Sequence, residues 1–187
     1  MPKTEAVTDP RFALSLWRVS DKLLVVDSRH AELALPTEPL LANILTALGL
    51  PRTPLPKADV LRWPMYDYPL APKGDDAARD TILAMLEGRL EMEPVEYVLL
   101  MGAEACHYVL PPELLPATAE TGDDASLATA RSPGLSAVDS FACALGKAVR
   151  VEPLKVTAIV VPSLCDMLQE PELKAQTWKS IQPLRQR

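Results

Sequence analysis

The chain has few cysteines and no long apolar run. Its three cysteines, Cys106, Cys143 and Cys165, are odd in number and widely spaced, which argues against a disulfide framework and predicts buried free thiols. No apolar stretch approaches the ~18–20 residues that a bilayer crossing needs. The opening sequence MPKTEAVTDPRF lacks the continuous apolar core of a signal peptide. We therefore expect a cytoplasmic protein without a membrane partner.

Positive charge is also scarce. The sequence has 19 Lys and Arg against 25 Asp and Glu, a formal net charge of −6. Proteins that grip nucleic acid directly neutralise its phosphates with clustered basic side chains. Here the basic residues gather only mildly, at Lys179, Arg185 and Arg187. The composition therefore disfavours direct binding of nucleic acid and favours protein partners.

Apolar material, in contrast, is sufficient for a folded core. Hydrophobic residues make up 48% of 187 positions, which argues against global disorder and suits one domain. We see no internal repeat or second boundary, so residues 1–187 are predicted to form a single α/β domain. Within it, recurrent prolines predict an extended, irregular segment over 51–74. Small and polar residues predict a mobile surface loop over 117–137.

The C-terminal stretch reads as a strand followed by two helices. Val156–Val161 is a β-branched apolar run that predicts a buried strand, and Pro162 ends it because proline has no N–H for a sheet. Ser163 lies three residues before Asp166, the spacing of a capping box at a helix start. A second helix is predicted from Pro171, because a first-turn residue needs no N–H.

The upstream sequence predicts three further strands. In RFALSLWRV, Phe12, Leu14 and Leu16 alternate with smaller residues while Trp17 points to the opposite face, as in an edge strand or a hairpin arm. A second strand is predicted over 23–26. A third, over 95–101, is apolar enough to be central in the sheet.

Two helices are predicted between these strands. Thr37 is placed to cap the first helix, and Gly49 is placed to end it in the left-handed conformation. Asp75 and Asp76 favour the start of another helix, because acidic residues stabilise a helix N-terminus. Buried strands that alternate with helices are typical of an α/β layer fold.

Three blocks of sequence resemble the psi subunit of bacterial DNA polymerase III. The C-terminal block follows that family's pattern of a strand, Val-Pro-Ser-Leu and spaced Leu, Pro, Lys, Trp and Ile residues. The second block resembles a psi helix, and the third resembles its middle strand and turn. The matching positions are Pro162, Ser163, Leu164, Leu168, Pro171, Lys174, Trp178 and Ile181; Thr37-Glu38-Pro39-Leu40 with Ile44-Leu45 and Ala47-Leu48; and 98–102 with Glu104-Ala105.

The resemblance implies a fold and a set of partners. The fold would be a three-layer α/β/α sandwich with a mostly parallel central sheet, like an inactive uracil-DNA glycosylase. The function would be that of a non-catalytic accessory subunit of the clamp-loader complex. It would bind the chi subunit, and through chi reach single-stranded-DNA-binding protein, while an N-terminal segment contacts the clamp-loader core subunits. No cofactor is implied.

The N-terminal segment departs from the family pattern. Psi proteins usually carry a longer arm with a Trp before the first strand, whereas only residues 1–10 precede RFALSLWRV here. This segment is therefore either the first strand or a shortened arm. In the arm interpretation, Phe12, Leu14, Leu16 and Trp17 are the partner-binding anchors, because exposed aromatic and aliphatic side chains are typical interface hot spots.

Two other functions stay open: an active glycosylase-like hydrolase and a small-molecule-binding α/β domain. Base-extruding enzymes need a positioned carboxylate or amide and a His near the strand ends. Where active glycosylases have His-Pro-Ser, this chain has Val161-Pro162-Ser163. Asp27 and His30 could form a pair on one loop, although an ordinary solvated loop is the interpretation we favour.

The remaining candidate groups point to packing. Cys106 and His107 are adjacent, but neither Cys143 nor Cys165 lies at metal-ligand spacing from them, so we expect no metal site and no cofactor. Trp178 is interpreted as a core aromatic residue in preference to a partner-binding one.

Overall fold

The computed structural model describes residues 9–30, 32–50, 54–66, 70–111 and 137–185. Within these ranges the chain is a mixed α/β protein with one six-stranded sheet. The strands are β1 (Phe12–Arg18), β2 (Leu23–Arg29), β3 (Asp59–Trp63), β4 (Tyr97–Met101), β5 (Ala148–Val151) and β6 (Val156–Val161). They lie in the order β3-β1-β2-β4-β6-β5.

Six α-helices accompany this sheet in the described ranges. They are α1 (Thr37–Ala47), α2 (Gly74–Met92), α3 (Ala103–Val109), α4 (Ala137–Ala144), α5 (Leu164–Gln169) and α6 (Leu173–Ser180), followed by a short 3-10 turn over Gln182–Leu184. None of the helices that the structure describes is both long enough and apolar enough to cross a membrane.

Parallel pairing is confined to the centre of the sheet. Strand β4 pairs in parallel with β2 and with β6, whereas β1 pairs antiparallel with β2 and β3, and β5 pairs antiparallel with β6. The prediction of a mostly parallel sheet is therefore wrong for the outer strands. Short turns join β1 to β2 and β5 to β6, which favours antiparallel pairing, because parallel neighbours need longer crossovers. Strand β3 is antiparallel to β1 although the connection that leads to it contains α1.

Apolar clusters cover both faces of the sheet. On one face Leu14, Val26 and Leu100 belong to a cluster with Ile82 of α2 and Val109 of α3. The other face carries Trp17, Val25, Leu99, Leu41 of α1 and Leu164 of α5. The alternation predicted for β1 is thus confirmed, since Leu14 and Trp17 lie in clusters on opposite faces.

Strand β3 corrects two predictions at once. The segment 51–74 was expected to be irregular throughout, but Asp59–Trp63 forms a strand within it and Gly74 begins α2; positions 51–53 and 67–69 lie outside the described residues. Because β3 pairs with β1, β1 is the hairpin arm that was predicted and not an edge strand. The prolines at 56 and 64 flank β3, so its own backbone N–H groups remain available for pairing.

Of three predictions made for helix ends, two are confirmed and one is wrong. The capping box is confirmed: the Asp166 N–H donates to Ser163 Oγ over 3.0 Å, and the Ser163 N–H donates to Asp166 Oδ2 over 3.3 Å. Gly49 has a φ of +83°, the predicted left-handed conformation. Thr37, however, is already inside α1, and no side-chain cap precedes it. Its predicted capping role is wrong because Pro36 occupies the cap position.

Two predictions concern the C-terminal half of the chain: a loop over 117–137 and the burial of Trp178. The loop expected over 117–137 lies outside the described residues except for Ala137, which is the first residue of α4; that helix was not predicted. Trp178 retains 37% of its accessible surface, so its assignment to the core is wrong. The buried residue of the same helix is Thr177.

Candidate functional site

The carboxyl ends of β2, β4 and β6 meet at one edge of the sheet. Asp27 and Ser28 lie near the end of β2, Gly102 follows β4, and Ser163 follows β6 by two residues. In open α/β sheets, ligands bind outside the carboxyl ends of parallel strands. The carboxyl ends of these three strands are therefore the candidate functional site.

Two side chains of β2 hold the helices that begin at this edge. The Leu164 N–H donates to Asp27 Oδ1 over 3.0 Å, and the Ala105 N–H donates to Ser28 Oγ over 2.9 Å. Successive strand residues point to opposite faces, so Asp27 holds the first turn of α5 on one face while Ser28 holds the first turn of α3 on the other.

Gly102 allows the strand ends to come this close. Its φ is +93°, and a Cβ atom built there would lie 2.6 Å from Ser28 Oγ and 2.9 Å from the Ser163 Cβ. Its N–H donates to the Val161 carbonyl over 2.9 Å. Both the left-handed conformation and the crowding require a residue without a side chain.

Asp27 is the most perturbed acid at this edge. Only 3% of its surface is exposed, and burial raises the pKa of its carboxyl from 3.8 to about 7. The Leu164 N–H opposes this rise, whereas the negative charges of Asp166 and Glu104 add to it. The sequence interpretation of a solvated loop is wrong for Asp27, because β2 continues to Arg29 and the start of α5 covers the Asp27 side chain.

A cleft of about 480 Å³ opens beside Asp27. Ser15 and Trp17 of β1, His30, Cys165 and the residues 33–39 contribute to its lining. Ser15 is paired with Asp27 across the β1–β2 ladder, so both side chains lie on the same face of the sheet. The indole Nε1 of Trp17 is buried and has no hydrogen-bond partner in the part of the chain that the structure describes.

The proposed pair of Asp27 and His30 is only partly formed. Both residues line the cleft, but His30 is exposed and its Nδ1 accepts a hydrogen bond from the Glu32 N–H over 3.3 Å. No hydrogen bond joins His30 to Asp27 among the described residues. Val161, which precedes Pro162 and Ser163, is fully buried in the sheet.

The four predicted partner-binding anchors are not exposed side chains. Leu14, Leu16 and Trp17 are buried by the chain itself. Phe12 is half-buried and stacks on Tyr108, with ring centroids 4.1 Å apart and planes 10° apart. The arm interpretation is therefore wrong about their exposure, because β1 lies inside the sheet and apolar clusters cover both of its faces.

A second opening lies on the α2 side of the sheet. This groove of about 390 Å³ runs between β3 and α2, and Leu14 and Leu16 contribute to its lining together with Ile82 and Leu86. Two of the four predicted anchors thus line a groove, although neither is exposed at its rim. The sequence pattern of β1 gave no sign of this groove because α2 and β3 form its walls.

None of the three cysteines forms a disulfide, as the sequence predicts, and two of them, Cys106 and Cys165, are buried. Burial raises the pKa of the Cys106 thiol to about 12, which disfavours the reactive thiolate. Within the described ranges no group of three His, Cys, Asp or Glu residues is placed to hold a metal ion.

Comparison with known proteins adds no further assignment. The chain matches no protein-family model, no curated protein and no solved structure.

Proposed function

We propose that this chain is a non-catalytic accessory subunit of a DNA polymerase III clamp-loader complex, similar to psi. It would bind chi on one surface and the clamp-loader core on another, and so connect the clamp loader to single-stranded-DNA-binding protein. The fold in this proposal is a three-layer α/β/α sandwich related to an inactive uracil-DNA glycosylase. Apolar clusters on both faces of the mixed sheet support that architecture.

The carboxyl edge of the sheet carries this proposal. A glycosylase needs a carboxylate or amide and a His that face the same extruded base. Here Val161, which the sequence resemblance aligns with the glycosylase His, is buried in the core, and Asp27 accepts a hydrogen bond from the Leu164 N–H. The residues at the strand ends thus join helices to the sheet, which supports a structural role.

The surface composition agrees with protein partners. The net charge of −6 opposes tight contact with nucleic-acid phosphates. Among the described residues, several large apolar side chains are exposed, including Tyr66, Leu70, Met92, Val138 and Trp178. Exposed apolar groups are the usual material of protein interfaces when they gather in patches.

Binding to chi from the same organism tests the proposal. The two purified chains would be mixed at micromolar concentration and separated by size exclusion with light scattering. We expect one peak with the mass of a one-to-one complex. Two peaks with the masses of the separate chains would contradict the proposal.

The cleft beside Asp27 favours a second candidate, a hydrolase or a small-molecule-binding domain. A buried carboxyl with a pKa of about 7 in a cleft of about 480 Å³ is a feature of many active sites. Incubation with a uracil-containing single-stranded oligonucleotide separates the candidates. Strand scission after alkali treatment, absent in the Asp27→Asn variant, would favour the hydrolase; an intact oligonucleotide favours the accessory subunit.

A further inference from the structure

Strand β3 lies at one end of the sheet and has a free side. It pairs with β1 only, and within the described ranges no other strand reaches its outer edge. Alternate N–H and C=O groups of an edge strand point away from its partner and can pair with another chain. The outer side of β3 therefore offers backbone groups for an added strand.

An apolar groove runs alongside this edge, between β3 and α2. It has a volume of about 390 Å³ and a lining that includes Leu14, Leu16 and Leu86. At its rim, Tyr66 is 65% exposed and Met85 of α2 is 47% exposed. A strand added to β3 would lie next to this groove, so one of its apolar side chains could enter it.

The charges around the groove indicate which charged side chain the added strand would carry. Arg89 of α2 is hydrogen-bonded to Asp59 of β3, so this pair is already neutralised. Arg62 of β3 is exposed and also lines the groove, but in the described part of the chain it makes no ion pair. An acidic side chain beside Arg62 would complement this unpaired charge.

We propose that β3 and its groove bind an extended segment of a partner protein that adds to the sheet as a seventh strand. One aliphatic side chain of the segment fills the groove, and a neighbouring acidic side chain pairs with Arg62. Recognition by strand addition combines backbone pairing with pockets for alternate side chains. The inference deepens the proposed function by assigning a partner surface, and it rests on that function only in taking a protein as the partner.

A second copy of this chain fits the surface less well. If two β3 strands paired antiparallel about Leu61, Val60 of one copy would lie opposite Arg62 of the other. Asp59, the only acidic residue of the strand, is already paired with Arg89. The partner that best complements Arg62 is therefore a different chain with its own carboxylate.

Two synthetic peptides serve as probes. The first is the acetylated, amidated peptide Ser-Thr-Leu-Glu-Leu-Thr-Ser, in which the leucines share one strand face and the Glu lies on the other. The second replaces Glu with Lys. The isotope-labelled full-length chain is titrated with each peptide up to its solubility limit, while amide shifts are recorded by NMR. We expect shifts centred on Val60–Arg62, with the Glu peptide binding roughly fivefold more tightly because of Arg62.

Three variants make the test specific to the groove. Met85→Lys places a charge at the rim and should abolish the shifts. Met92→Lys, the same change on the same helix at a position that is 86% exposed, should leave them intact. Arg62→Glu should reverse the preference between the Glu and Lys peptides. Unmoved β3 amides, equal effects of the two Met variants, or an unreversed preference would each overturn the proposal.

This outcome is independent of the chi experiment. If chi co-purifies but the peptides leave β3 unshifted, the accessory function stands and this surface is wrong. If the peptides bind as described and chi does not, the surface stands and the psi-like function is wrong.

Discussion

Asp27 near the end of β2 accepts a hydrogen bond of 3.0 Å from the backbone N–H of Leu164, the first residue of α5. The two residues are 137 positions apart. The contact therefore joins the centre of the sheet to the C-terminal block that carries the psi resemblance. It also places a carboxyl in the interior, which makes the stability of the chain sensitive to pH.

Asp27→Asn should remove that sensitivity. Because folding raises the pKa of Asp27 from 3.8 to about 7, the native state binds the proton more tightly than the unfolded state does. Stability should therefore fall as pH rises from about 4 to about 7 and then level off. The Asn oxygen can still accept the Leu164 N–H without the cost of burying a charge.

Urea unfolding of both chains at pH 5 and pH 8 measures the effect. The variant should gain stability relative to the wild type on going to pH 8, by on the order of 2–3 kcal/mol as an upper limit. Equal pH dependence of the two chains would show that the Asp27 carboxyl titrates normally.

Gly102→Ala should destabilise the fold by at least ~2 kcal/mol, because the new Cβ would contact Ser28 Oγ at 2.6 Å in a left-handed backbone. Gly88→Ala is the matched control. Gly88 lies inside α2 with no atom within 4 Å of an added Cβ, so Ala should stabilise the helix by ~0.5–1 kcal/mol. Thermal unfolding compares the two. A Gly102→Ala melting temperature equal to that of the wild type would contradict the packing at the strand ends.

Ser163→Ala should cost ~0.5–2 kcal/mol, since it removes the side-chain half of the capping box with Asp166. Thr37→Ala, at the start of a helix without a side-chain cap, should change stability by no more than ~0.5 kcal/mol. Urea unfolding of the wild type and of both variants measures the two changes in unfolding free energy, provided that this free energy depends equally on urea concentration in all three proteins. If the two variants lost the same amount of unfolding free energy, the capping box at Ser163 would make no specific contribution to stability.

Leu14→Ala should destabilise the chain by ~2–5 kcal/mol, because Leu14 is fully buried in the cluster that β1 shares with α2. Any loss of partner binding by the Leu14→Ala variant would then be a consequence of its unfolding. Met92→Ala, at an exposed position of α2, serves as the comparison and should cost less than ~0.5 kcal/mol. If Leu14→Ala folds with wild-type stability, β1 is not held in the sheet as described.

Features with a local cause were predictable from the sequence. The capping box at Ser163 and the left-handed Gly49 depend on residues within a few positions of each other. The apolar run of β6 likewise identifies a buried strand without knowledge of its neighbours. In each case the residue pattern and the observed element coincide because one short segment contains both the signal and its effect.

Features that depend on distant segments were missed. Strand β3 exists because β1 pairs with it, and nothing within a proline-rich segment signals that partner. Asp27 is buried because α5 covers it, and its hydrogen-bond donor Leu164 is far along the chain. Trp178 is a large aromatic residue of the kind that is often buried, yet the residue of α6 that is buried is Thr177. Periodicity reports burial on one element and says nothing of what lies opposite.

The central prediction is that this chain bridges two partners. Clamp-loader core subunits and chi would be passed over a size-exclusion column with and without this chain, and their masses followed by light scattering. We expect chi to elute with the clamp-loader core only when this chain is present. Separate elution of chi in its presence, or co-elution in its absence, would contradict the bridging function.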